Sequence, residues 1–140
     1  MLLSRELGLG DGEFFFDWKG IHLGWRSVTG GTVGDLQQRL EKVVGAPVLL
    51  RGMREALAGK VGIITGGAGS EVEAIASLGI DTFVTGEGPH WSHPLAEELG
   101  LNVLYGGHYA TETFGVRALG QFLKSKFGLA SKKVSWSTAG

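Results

Sequence analysis

Between residues 61 and 127 an apolar run, a glycine-bearing polar turn and a stretch with helical spacing follow one another three times. Val61-Gly62-Ile63-Ile64-Thr65 leads into Gly66-Gly67-Ala68-Gly69-Ser70 and then a helix around Glu71–Ser77. Ile80-Asp81-Thr82-Phe83-Val84-Thr85 leads into Gly86-Glu87-Gly88-Pro89-His90, with a helix around Leu95–Leu99. Asn102-Val103-Leu104-Tyr105 leads into Gly106-Gly107-His108, with a helix from about Thr111 to Phe127. Short apolar runs bounded by glycine read as strands, and strands alternating with helices argue for an α/β fold with a largely parallel sheet. Neighbouring parallel strands bring their outgoing turns to one edge, where open α/β sheets place their sites.

The flanking segments complete the fold. Residues 13–28, aromatic and broken by Gly20, predict two extended segments or a hairpin that adds antiparallel edges and makes the sheet mixed. Thr32-Val33-Gly34-Asp35 resembles a capping box with Asp in the Glu/Gln position, and Val33, Leu36, Leu40 and Val43 recur at helical spacing until Gly45. Val48-Leu49-Leu50 predicts a short strand, and Lys133-Val134-Ser135-Trp136-Ser137 a final one. In the last helix Leu119, Phe122 and Leu123 form the apolar face and Gly128 fits the position just past its end. No linker interrupts the pattern, so residues 1–140 are expected to form a single α/β domain, with helices flanking the sheet in three layers.

Composition narrows the function. Glycine is 25 of 140 residues, far above the ~7% average, yet it recurs at the ends of apolar runs, where connections need positive φ. The net charge is -1 and no Lys/Arg-rich run occurs, which argues against a nucleic-acid footprint. Lys124 and Lys126 fall in the last turn of a helix, where cations favour the dipole. There is no cysteine, so disulfides, thiolate metal sites and cysteine nucleophiles are excluded. The absence of a signal-peptide core or membrane-length apolar run makes the cytoplasm the expected compartment and no membrane partner is expected.

The stretch Gly106-Gly107-His108-Tyr109-Ala110-Thr111-Glu112-Thr113-Phe114-Gly115 carries the chemistry. If its helix opens near Thr111, His108 lies on the turn and Glu112 on the first turn; if it opens earlier, the two lie one turn apart on one face. Either way a nitrogen and an oxygen donor converge as a divalent metal requires, although a hydrogen-bonded surface pair has the same spacing. Glu87 and His90 close the preceding strand and suit acid/base or outer-shell work, or a solvated loop. The Gly66-Gly67 turn presents backbone N–H groups to an anion, or is a tight turn with Ser70 as N-cap. It has neither the dinucleotide fingerprint nor a P-loop lysine. His93-Pro94 reads as a helix start. Parallel neighbours would gather Glu87, His90, His108 and Glu112 at one edge.

Three of these motifs, in this order, resemble the C-terminal half of the NIF-three-like proteins, the dinuclear-metal-centre hexameric proteins known as GTP cyclohydrolase 1 type 2 homologues. They are Val61-Gly-Ile-Ile-Thr-Gly-Gly-Ala-Gly-Ser, Thr85-Gly-Glu-x-x-His90 and Gly107-His108-Tyr-Ala-Thr-Glu112-Thr-Phe-Gly115, and the similarity runs over most of residues 12–138. The resemblance implies that His108 and Glu112 are metal ligands, one of them shared between two ions. It gives Glu87 and His90 outer-shell or proton-transfer roles. The family's remaining ligands, a His-His pair and an Asp, belong to its N-terminal half, and no His-His pair occurs here. A ligand set of nitrogen and oxygen favours zinc, manganese or iron.

Two functions follow as expectations. In the first, metal-assisted hydrolysis acts on a nucleotide such as GTP, with formate lost as the imidazole ring opens and phosphate received by Gly66-Gly67. In the second, the chain is a non-catalytic module of a homo-oligomer. Phe14–Phe16, Trp18 and Trp25 exceed what a small sheet edge needs, and part of that surplus would lie in a subunit interface.

Overall fold

The computed structural model describes residues 2–130, 132 and 134. A short helix α1 (Leu2–Glu6) precedes a hairpin of β1 (Gly12–Phe14) and β4 (Trp25–Thr32), paired antiparallel with Phe14 opposite Trp25. A small ribbon of β2 (Asp17–Trp18) and β3 (Ile21–His22) extends its tip. The ribbon turns at Lys19 and Gly20, with φ of 52° and 81°, the paired positive values that a two-residue hairpin turn needs.

Helix α2 (Val33–Val44) follows β4 directly. Its capping box is formed: the Thr32 hydroxyl accepts from the Asp35 amide and the Asp35 carboxylate accepts from the Thr32 amide. Gly45 ends it in the left-handed conformation with φ 75°. Then come β5 (Leu49–Arg51), β6 (Leu57–Ile63), a 3-10 turn (Ala68–Glu71) running into α3 (Val72–Ser77), β7 (Thr82–Thr85), α4 (Ser92–Glu98), β8 (Asn102–Tyr105) and α5 (His108–Phe127).

The six-stranded sheet has the order β1-β4-β6-β7-β8-β5. Its centre, β6-β7-β8, is parallel, and β4 with β1 on one side and β5 on the other are antiparallel. Alternation of side chains divides the core in two. Val61, Ile63, Val84 and Leu104 face α1 and α2, packing on Leu3, Leu7, Leu36 and Leu40. Phe83, Val103 and Tyr105 face α3 and α4, packing on Val72, Ile75 and Ala96. The mixed, three-layer α/β arrangement predicted from the sequence is the one observed, and the aromatic N-terminal pair does supply antiparallel strands.

Three local features differ from expectation. Helix α5 opens at His108 rather than near Thr111, because Gly107, with φ 87°, turns the chain immediately after the strand. Ser70 lies within the 3-10 turn and donates to Glu71 instead of capping α3. Leu119 and Phe122 on α5 remain exposed, so the apolar face of that helix is not covered over its C-terminal half. The N-terminal aromatics divide between core and surface as expected: Phe16 is buried while Phe14 and Trp18 are exposed. The strand expected at 133–137 falls largely outside the described residues.

Candidate functional site

The three parallel strands end side by side, and the turns that leave them are bonded to one another in sequence. The Gly66 carbonyl accepts from the amides of Gly86 and Glu87 at 2.8 and 3.1 Å, and the Gly86 carbonyl accepts from Gly107 at 2.9 Å. This approach is closer than any side chain would allow. A Cβ on Gly86 would stand 2.6 Å from the Gly66 carbonyl oxygen and 2.7 Å from the His108 Cα. Here glycine is required by proximity rather than by backbone freedom.

Two buried hydroxyls fix the Gly66 turn. Thr111 Oγ1 accepts from the Gly66 amide at 3.1 Å, and Thr85 Oγ1 donates to the Gly66 carbonyl at 3.2 Å while accepting from the Ala68 amide at 3.3 Å. With Gly69 donating to the Glu87 carbonyl, the amides of Gly66, Ala68 and Gly69 are all directed into the protein. Neither threonine was singled out from the sequence. Thr111 lies inside the Gly-His-Tyr-Ala-Thr-Glu stretch, which is the signal that could have found it.

His108 stands at the centre of the shared edge, on the first turn of α5. Its Nδ1 lies 2.8 Å from Glu87 Oε1 and its Nε2 3.4 Å from Glu112 Oε2. Its ring packs over the Gly66–Gly67 turn, where a Cβ on Gly66 would meet Glu112 Oε1 at 2.5 Å and His108 Nε2 at 3.4 Å. A carboxylate can only accept, so in the neutral imidazole Nδ1–H donates to Glu87 and the Nε2 lone pair faces Glu112. Two acceptors then face each other, an arrangement that a cation between them relieves. Consistent with this, the Glu87 hydrogen bond, opposed by desolvation and aided by the Glu112 charge, raises the His108 pKa above its ordinary value.

The spacing suits a metal as well as a proton. Two ligands about 2.0–2.1 Å from one tetrahedral ion stand about 3.3–3.4 Å apart. The Nε2–Oε2 separation is 3.4 Å. A carboxylate on the other imidazole nitrogen is the usual orienting partner of a metal-bound histidine. Among the described residues, however, no group of three or more His, Asp or Glu side chains is placed to hold an ion together. The pair fits a metal as part of a larger ligand set.

Of the sequence-predicted residues, the fold gathers Glu87, His108, Glu112, Gly66 and Gly67. His90 points elsewhere: its ring packs edge-on against His93, 5.5 Å between centroids, and His93 in turn lies 5.0 Å from the Tyr105 ring. A cavity of about 580 Å³ opens beside Glu112, walled by Phe14, Trp25, Ile63 and Phe114. Among the described residues no helix is long and apolar enough to cross a membrane.

Comparison with known proteins places this geometry. The family model for Duf34/NIF3 (NGG1p interacting factor 3) matches residues 2–138. A Deinococcus radiodurans protein named GTP cyclohydrolase 1 type 2 homolog is 36% identical over 140 residues, covering 98% of this chain and 53% of its own. The solved structure of protein ybgI, described as of unknown function, superposes with TM-score 0.82 at 28% identity, covering 99% of this chain and 56% of that one. A Thermus thermophilus crystal structure gives TM-score 0.69 at 32% identity, with 98% and 54% covered. The chain thus spans about half the length of the relatives it matches. With the match running over nearly every residue and the fold shared, the chain belongs to the Duf34/NIF3 family.

Proposed function

We propose that His108 and Glu112 form one side of a divalent-metal centre, of zinc, manganese or iron, and that Glu87 orients the histidine from behind. The observation that carries this reading is the imidazole held at Nδ1 by Glu87, 2.8 Å away, with Nε2 set 3.4 Å from the Glu112 carboxylate. Two protein ligands fall short of the three that open catalytic zinc sites keep, so further ligands come from chain outside these residues or from another subunit. When bound, the ion, or a pair of ions, supplies Lewis acidity and an acidified water. Glu87 keeps the proton of His108 on Nδ1, leaving Nε2 free to ligate. The relatives' name, GTP cyclohydrolase 1 type 2 homolog, supports a nucleotide as substrate and hydrolysis as the reaction. A cytoplasmic setting suits such a substrate.

Metal content per chain, measured by elemental mass spectrometry on untagged protein, tests the reading. Metal in the wild type that is lost in the His108→Ala/Glu112→Ala variant supports it. A metal-free wild type that also fails to take up zinc, manganese or iron on dialysis overturns it for this chain.

A second reading is favoured by the exposed apolar surface. Phe14, Trp18, Ile21 and Leu23 of the hairpin and Val116, Leu119 and Phe127 of α5 are all exposed. Such a surface suits a module that assembles with copies of itself. A homo-oligomer that persists in chelator and in His108→Ala supports this role, and a monomer at all concentrations removes it.

A further inference from the structure

The His108–Glu112 edge lies open at the surface. The two side chains are exposed over 44% and 55% of their area, so a second molecule can reach both. Glu112 and Val116, one turn apart on α5, line two hollows at once. Thr111, Phe114 and Gly115 wall the larger, of about 580 Å³, and lie on one side of that stripe. Tyr109, Thr113 and Arg117 wall the smaller, of about 300 Å³, and lie on the other side. The first turns of α5 therefore form a ridge between two hollows. Val116 on the ridge is 75% exposed. Across the larger hollow stand Leu23 and the edge-on pair of Phe14 and Trp25, 5.3 Å between ring centroids. An apolar ridge beside an apolar hollow is self-complementary. Turned about a two-fold axis, the ridge of each copy meets the hollow of the other.

The ligand count leads to the same axis. Within one chain, no three His, Asp or Glu side chains among the described residues are placed to hold an ion. His108 Nε2 and Glu112 Oε2, 3.4 Å apart, span one edge of a tetrahedron around an ion. A two-fold axis generates the opposite edge, so two copies supply the four ligands that a tetrahedral ion takes. Charge closes as well. Two carboxylates balance one divalent cation, and without the cation they repel. Length agrees: the chain spans 53% of the Deinococcus radiodurans relative and 56% of the ybgI chain, so two copies amount to about one relative.

We propose that the chain forms a two-fold homodimer through this face, with His108 and Glu112 of both copies ligating one shared divalent ion at its axis. The inference rests on the reading of His108 and Glu112 as metal ligands, and it adds where the missing ligands come from.

Analytical ultracentrifugation of metal-stripped full-length protein, with and without zinc, tests the proposal together with elemental analysis. Zinc at about half an equivalent per chain is expected. The dimer should tighten by about tenfold or more when zinc is added, and chelator should reverse the change. Val116→Arg charges the ridge without touching a ligand, and circular dichroism checks that it folds. It should remain monomeric in zinc and bind zinc about tenfold or more weakly, because the two equilibria are linked. Should Val116→Arg misfold, Leu23→Arg gives the same comparison from the opposite wall. His108→Ala/Glu112→Ala should lose the zinc-dependent part of dimerisation. Zinc held by a monomeric wild type, a full equivalent per chain, a dimer equally tight with and without zinc, or undiminished zinc affinity in folded Val116→Arg would each overturn the shared site while leaving His108 and Glu112 as ligands. A wild type that takes up no zinc, manganese or iron overturns the metal reading itself, and this inference with it.

Discussion

The Gly66 amide donates to Thr111 Oγ1 at 3.1 Å across 45 residues of sequence. This one bond ties the turn after β6 to the first turn of α5, and it is buried at both ends. The same hydroxyl lies 3.0 Å from the Gly107 and His108 carbonyls, so its own proton returns to the helix that carries the site.

Thr111→Val keeps the shape and removes the acceptor, leaving a buried N–H unsatisfied. Unfolding in urea should show a loss of about 1–3 kcal/mol. Thr111→Ser keeps the acceptor and loses only a methyl, about 1 kcal/mol. The two separate more clearly in zinc affinity, which Val should weaken and Ser should preserve. Equal affinities for the two variants would show that the bond serves stability alone.

Gly66→Ala is expected to harm the site more than the fold. Gly66 has φ 77°, which a side chain strains, at a cost of about 1 kcal/mol or somewhat more. The new Cβ would meet Glu112 Oε1 at 2.5 Å. That oxygen ends a flexible side chain, so the carboxylate swings away rather than the backbone parting. A modest fall in melting temperature with a pronounced loss of metal uptake is the expected pair of results. Unchanged uptake would show that Glu112 is not held against the turn when metal binds.

The convergence of Glu87, His108 and Glu112 was legible in sequence because it depends only on strand adjacency and parallel direction, which strand–turn–helix alternation signals. The α2 capping box was legible for a different reason: it is local, complete within four residues. What escaped was set by tertiary contact. His90 has the same three-residue offset from Glu87 in any fold, and only the packing of α4 on β8 turns its ring to His93 and Tyr105. The pairing of Arg51 with His93, 42 residues away in sequence, depends on β5 lying beside β8 and on α4 packing against both. The start of α5 depended on one backbone angle at Gly107, which residue spacing does not encode.

Acid should loosen α2 first through its cap. The hydrogen bonds from the Thr32 amide and hydroxyl, chiefly the former, hold the Asp35 carboxyl below its ordinary pKa. A group depressed in the folded state contributes stability that is present above its unfolded value, near 3.8, and is lost as pH falls through the folded value. Wild type should therefore lose melting temperature below about pH 4 more steeply than Asp35→Asn, whose cap does not titrate. Above that pH the variant should be the less stable of the two. Parallel acid limbs in the two proteins would mean that the cap's charge carries none of this dependence. Thr32→Ala, which removes the reciprocal bond, should cost about 0.5–2 kcal/mol at neutral pH.

The Glu87 side chain is exposed and, among the described residues, is held by His108, so its loss should not unravel the fold. Its backbone does the structural work, receiving the Gly69 amide and donating to Gly66. Glu87→Gln should thus leave stability within about 0.5 kcal/mol of wild type. Its effect should fall on metal affinity. An amide accepts from Nδ1 without charge and can also turn its NH₂ group toward the ring, so it no longer enforces the tautomer that frees Nε2. Partners of this kind change affinity by about 10–100-fold, and competition against a chromogenic chelator would resolve that range. Glu87→Ala should be weaker still, because the ring then loses its partner altogether. If both variants bind zinc as wild type does while His108→Ala does not, the histidine ligates without help and Glu87 belongs to the protein's surface rather than to its site.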